Sequence, residues 1–177
     1  MLDTCLLGGF NLENEDKIKE LNNAFHRNSG QILGMALHIE TQLDYFIANY
    51  FANPQSYRTF VLKDLIIFDM AFGRKTKIFV DICKTEKIDE NWLKEIREAI
   101  GFVQRIRNRV AHDQATFYQQ EEKIVLQKKK SVTYKKDELE ITDALVDKVD
   151  KNRLFCLQEI SKIAIKISEL EKENLGC

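Results

Sequence analysis

A single proline, Pro54, and seven glycines are all that interrupt helical propensity along 177 residues. Proline costs about 3 kcal/mol and glycine about 1 kcal/mol inside a helix, so a chain this poor in both is free to form long helices. Its apolar pattern uses that freedom. Ile32, Ala36, Ile39, Leu43, Phe46 and Tyr50 step by fours and threes, which draws one stripe along a helix of about six turns. Pro54 ends it, having no N–H to donate and restricting the residue before it. Upstream, Leu12, Ile18, Leu21 and Phe25 recur at helical spacing. Ser29 and Gly30 either interrupt that helix or let it run straight on into the next.

Beyond Pro54, residues 56–69 read as a short helix or an ordered connector. A helix over 72–84 turns Ile78, Phe79, Ile82 and Cys83 inward. Asp89 suits the N-cap of the following helix, whose stripe is Trp92, Ile96, Ala99, Val103, Ile106 and Val110. That helix reaches His112, a length of about 36 Å at 1.5 Å per residue. The period then changes. Residues 116–118, 123–126 and 131–134 are β-prone and separated by charges, giving a two- or three-stranded hairpin excursion within 114–136. Asp137 and Glu140 resemble a capping box, opening a last helix to Glu173 with Val149, Leu157, Ile160, Ala164 and Ile167 inward. The expectation is an all-α protein: an antiparallel four- to five-helix bundle with a small β-hairpin insert before the last helix. It forms one domain over 1–177, with a loose lead over 1–10.

Twenty-seven basic and 28 acidic residues leave a formal net charge of −1. That balance does not mark the whole chain as a nucleic-acid binder, so a basic site has to be local. Cysteines 5, 83, 156 and 177 lack metal-ligand spacing, so reduced thiols and no metal centre are expected. Phe72-Gly73-Arg74-Lys75 lacks the spacing of a phosphate-binding loop, and no cofactor is expected. No apolar run reaches the ~18 residues of a membrane span, and the opening lacks the basic start of a signal peptide. These features place the protein in the cytoplasm, without a membrane partner.

The chemistry-bearing residues cluster near residue 110. Arg105, Arg107 and Arg109 stand with Asn108 and His112 at the end of the Asp89 helix. Asn108 and His112 share a helix face, so Asn108 is placed to hold one imidazole nitrogen and fix its tautomer. Arg107 lies about 140° around the helix from His112. One helix does not aim both at one point, and a two-fold dimer would build such a site more readily. A histidine of ordinary pKa ~6.5 exchanges a proton near neutral pH, and arginine grips phosphate oxygens through its planar fork. Together they suit phosphodiester cleavage without a metal. The plainer reading is that Arg and His in a last turn complement the helix dipole and form surface ion pairs.

Arg107-Asn108-Arg109-Val110-Ala111-His112 resembles the R-x4–6-H motif of the HEPN (higher eukaryotes and prokaryotes nucleotide-binding) domain family, in its common form with Asn after Arg. Ile39-Glu40-Thr41-Gln42-Leu43-Asp44 before Tyr50-Phe51, and Phe72-Gly73-Arg74-Lys75-Thr76-Lys77-Ile78-Phe79, are similar to prokaryotic members, and the resemblance spans roughly 30–170. It implies a helical bundle that dimerises with the two motif helices facing each other. It also implies a metal-independent ribonuclease of a toxin–antitoxin or other defence system, with RNA as substrate and an antitoxin as a partner. Arg107 and His112 then become the catalytic pair and Asn108 the intervening polar residue. Glu40 or Asp44 is the further polar residue of the preceding helix, with Glu40 orienting Arg107 or His112. Other members of the family bind RNA, nucleotides or proteins without cutting, which is the alternative.

Two further features bear on RNA. Between 123 and 136 the chain carries Lys123, Lys128, Lys129, Lys130, Lys135 and Lys136 and no acid. With Arg105 and Arg109, Lys128–Lys130 form a tentative RNA-binding set; edge lysines that discourage aggregation are the other reading. Tyr118 and Tyr134 suit base stacking or, more simply, cross-strand packing. His38, among apolar neighbours, is expected to be interior or at an interface. Trp92 is expected as a core anchor.

Overall fold

A computed structural model describes residues 12–52, 56–118, 121–128 and 137–174. The segments over 1–11, 53–55, 119–120, 129–136 and 175–177 lie outside the described residues. With them go the N-terminal lead, Pro54, the β-prone run 131–134 and Lys129, Lys130, Lys135 and Lys136.

The first helix, α1, runs unbroken over Leu12–Phe51. Gly30 is exposed, with open space where a side chain would stand. Its cost to the helix is offset by anchors on both sides. Ile32 is fully buried, and the Asn28 amide donates to Asp143 Oδ1 at 2.8 Å and to the Ile141 carbonyl at 3.4 Å. Helix α2, Tyr57–Leu62, is capped by Ser56, whose hydroxyl accepts from the Thr59 N–H. It runs directly into a π-helical turn, Lys63–Ile67.

Helix α3, Phe72–Thr85, lies against α1. The edge-to-face pair Phe46–Phe79, 4.9 Å between centroids, and a 2.6 Å bond from Tyr50 to Glu86 fix their parallel course. Helix α4, Glu90–His112, returns antiparallel, and its N-cap is Asp89, which accepts from the Trp92 N–H at 2.8 Å. Helix α5, Asp143–Asn174, covers α1 and α4 and completes the bundle. The Trp92 indole donates to the buried Glu159 carboxylate at 2.7 Å. The apolar stripe of α5 runs through Val149, Cys156, Ile160, Ile163 and Ile167, all buried; Ala164, expected inward, is exposed.

Between α4 and α5 sits a three-stranded antiparallel sheet in the order β1 (Gln114–Tyr118), β2 (Lys123–Gln127), β3 (Glu138–Glu140). Its register sets Thr116 opposite Val125 and Leu126 opposite Leu139. The insert therefore extends to Glu140, past the expected limit at 136. The capping box expected at Asp137 and Glu140 does not form: Glu140 is in β3 and the Asp137 carboxylate faces Arg109 and Lys128. Thr142 starts α5 instead, accepting the Leu145 N–H on its hydroxyl and the Val146 N–H on its carbonyl. Leu126 joins the main core, and Lys17 pairs with Glu122 at 2.5 Å, tying the hairpin turn to α1. No helix among the described residues is long and apolar enough to cross a membrane.

Candidate functional site

The arginine-rich end of α4 divides its basic side chains between two roles. Arg109 is used inside the fold. Its Nε donates to Asp113 at 2.6 Å, one terminal nitrogen to Asp137 Oδ1 at 2.8 Å, and the other to the carbonyls of Leu126 at 2.9 Å and Asp137 at 2.7 Å. One planar fork thus joins the last turn of α4 to β2 and to the entry of β3. The Asp137 carboxyl is held below its ordinary value by the Lys128 hydrogen bond and then by the charge of Arg109. Arg109, expected as an RNA contact, is saturated by these partners, and Lys128 pairs with Asp137 at 2.6 Å while remaining exposed. Arg105 is exposed. Lys129 and Lys130 lie outside the described residues.

Arg107, Asn108 and His112 are left for other work. Arg107 is half-buried, and Asn108 and His112 are exposed. Arg107 donates to the side-chain oxygen of Asn108 at 3.2 Å. Asn108 therefore meets Arg107 rather than the expected imidazole, and His112 has no hydrogen bond or ion pair among the described residues. No hydrogen bond joins Arg107 to His112.

Helix packing sets where the two side chains stand. A side chain at Gly73 would come within 3.0 Å of the Gln104 amide, so the first turn of α3 abuts α4 at Gln104. Since α3 begins there and α4 continues to His112, the last two turns of α4 run past the end of α3. At 100° per residue, Arg107 is about 60° to one side of the Gln104 direction and His112 about 80° to the other. Arg107 leans toward the core side, which accounts for its partial burial; His112 leans outward.

Glu40 is engaged elsewhere. Lys75, buried at the start of α3, reaches Glu40 at 3.2 Å, Asp44 at 2.8 Å and the Phe68 carbonyl at 3.4 Å. Glu40 therefore orients Lys75, and no bond to Arg107 or His112 is present among the described residues. Burial raises the Asp44 carboxyl above its ordinary value, with the Lys75 hydrogen bond pulling the other way. This ion cluster floors a cavity of about 320 Å³ that also touches Leu37, Lys63 and Phe68. The motif singled out Arg107 and His112 and gave Lys75 no role. A signal was present: Phe72, Lys75, Phe79 and Ile82 step by three and four, which puts a lysine on an inward stripe.

Tyr118 and the two buried cysteines serve the fold. Tyr118 donates to Glu138 and takes a bond from Gln127, so it serves the cross-strand face; Tyr134 lies outside the described residues. His38 is exposed, because its helix turns that position away from the core stripe. Cys83 and Cys156 are buried free thiols, pushed by burial up to about 12. Among the described residues no cluster of His, Cys, Asp and Glu has the makings of a metal site. No protein-family model, curated protein or solved structure matches the chain.

Proposed function

We propose that this chain is a metal-independent endoribonuclease of HEPN type, working in the cytoplasm as a toxin or defence component, with Arg107 and His112 as its catalytic pair. The observation that carries this reading is the split among the basic residues at the end of α4. Arg109 is consumed by four internal bonds, while Arg107 and His112 stand clear of any acidic partner among the described residues.

In the proposed reaction His112 withdraws the proton of a ribose 2′-hydroxyl, or returns one to the departing 5′-oxygen. Arg107 stabilises the negative charge that builds on the phosphate oxygens. Because the two point about 140° apart on one helix, a second copy supplies the other half of the site across a two-fold axis. Purified chain incubated with single-stranded RNA in EDTA should cut it, and both His112→Ala and Arg107→Ala should abolish cutting. Cleavage that survives both substitutions refutes the assignment.

The divergence of Arg107 and His112 within one chain favours a second reading, a non-catalytic module that binds RNA, a nucleotide or a protein such as an antitoxin through the same helix end. Growth arrest on overexpression separates the two. A nuclease toxin arrests growth only with His112 intact, and a binding module does not.

A further inference from the structure

The connection between α1 and α3 exposes its apolar side chains. Tyr57, Phe60, Leu65, Ile66 and Phe68 are each between 52 and 80 % exposed. Tyr57 and Phe60 stack at 6.4 Å, and Phe68 shares a cavity wall with Leu37, itself 56 % exposed. At up to ~250 Å² for a fully exposed large side chain, these six present on the order of 800 Å². A monomer's largest apolar patch is usually about 300–600 Å², whereas one side of a stable protein interface covers about 800 Å².

The charges in this strap are ordered. Arg58 and Lys63 are positive, and Asp64 and Asp69 are negative. Their positions are antisymmetric about the midpoint between 63 and 64: position 58 mirrors 69, and 63 mirrors 64. Lys63 and Asp64 neutralise each other at 3.3 Å, which leaves an apolar centre without net charge. Arg58 and Asp69 are exposed at opposite ends and have no ion-pair partner among the described residues. A surface that meets its own copy about a two-fold axis places each position against its mirror. Antiparallel straps therefore set Arg58 against Asp69 of the partner subunit twice, with the apolar side chains between them. Interfaces built this way have an apolar centre and a complementary charged rim.

We infer that the strap over residues 57–69 is a homodimer interface, paired antiparallel with the strap of a second copy. The inference goes beyond the nuclease reading and stands whether or not the chain cuts RNA, since its outcome is read as mass.

Sedimentation equilibrium of the full chain at micromolar concentration should give twice the 20.7 kDa chain mass. Leu65→Asp combined with Phe68→Asp should give the monomer with an unchanged far-ultraviolet helical signal, because both side chains are exposed. Arg58→Asp alone and Asp69→Arg alone should each weaken the dimer about tenfold or more, and the two together should restore it. A monomeric wild type overturns the proposal and leaves the strap to a different partner. It is equally overturned by a dimer that survives Leu65→Asp/Phe68→Asp, or by a charge-swapped pair no tighter than its single variants.

Discussion

The ammonium of Lys75 lies 2.8 Å from Asp44 Oδ1 and donates an aligned hydrogen bond to Oδ2 at 3.1 Å, with both residues buried between α1 and α3. This contact fixes where α3 begins, and so how much of α4 runs free beyond it.

Removing the ammonium leaves Asp44 and Glu40 facing each other with nothing between them. Breaking one partner of a buried ion pair costs about 3–5 kcal/mol, so Lys75→Ala should lose roughly that amount in urea unfolding. The pH dependence has a definite sign. A carboxyl whose folded value lies above its unfolded one binds its proton more tightly when folded, so acidification favours the fold. Burial already raises Asp44, and Lys75 is what opposes the rise. The Lys75→Ala deficit should therefore shrink as pH falls from 7 toward about 4. A deficit that is flat across that range would show that Asp44 does not feel the lysine's charge.

Arg109→Ala should detach the sheet from the helix end. It removes two carboxylate partners and two carbonyl partners at once. Hydrogen bonds to charged groups contribute about 1.5–3 kcal/mol net, and a loss in that range is expected. Arg109→Lys should recover little, because a point ammonium cannot reproduce the fork. The measurement is amide hydrogen exchange at β2 and β3, which should speed up while the α1–α3 core stays protected. The Asp137 end of this clasp has the opposite sign to Asp44. Its carboxyl is held below the ordinary 3.8, so its contribution is present at neutral pH and is lost as pH falls through that lowered value.

Cys83 and Cys156 should resist alkylation. Burial pushes both thiols up to about 12, and only the thiolate reacts. Iodoacetamide at pH 8 should leave both unmodified in the native protein and label them in urea, as read by peptide mass spectrometry. Rapid native labelling of either would show that the α5 or α3 packing opens readily.

The helices were legible because burial follows periodicity. The stripes of α1, α3 and α4 were readable from spacing, and Asp89 from its capping chemistry. Three features were hidden by longer-range physics. Glycine at position 30 marks a possible break, and only the distant anchor from Asn28 to Asp143 decides for continuity. Asp137 and Glu140 have the spacing of a capping box, but pairing with β2 and the pull of Arg109 claim that segment for the sheet. In sequence the strap's apolar residues, buried Ile67 and exposed Leu65, Ile66 and Phe68 alike, run together without a stripe, so periodicity could not tell which of them face the core. At the site, the motif identified the helix end, while the division between a locked Arg109 and an Arg107 with no acidic partner among the described residues depends on contacts of Arg109 17 and 28 residues away.

The proposed catalytic pair has a stringent test in mixed dimers. If each site takes Arg107 from one protomer and His112 from the other, His112→Ala and Arg107→Ala protomers are each inactive as homodimers. When they exchange partners freely, about half of the dimers are mixed, and each mixed dimer holds one site with both groups intact. Activity should then recover to about a quarter of wild type, against a single-variant background reduced by roughly 10²–10⁴-fold for loss of an acid–base group. Recovery should vanish when Leu65→Asp/Phe68→Asp is added to both protomers, if the strap pairing is the dimer that builds the site. No recovery in freely exchanging mixtures would place both groups in one chain, contrary to the angle that α4 imposes between them.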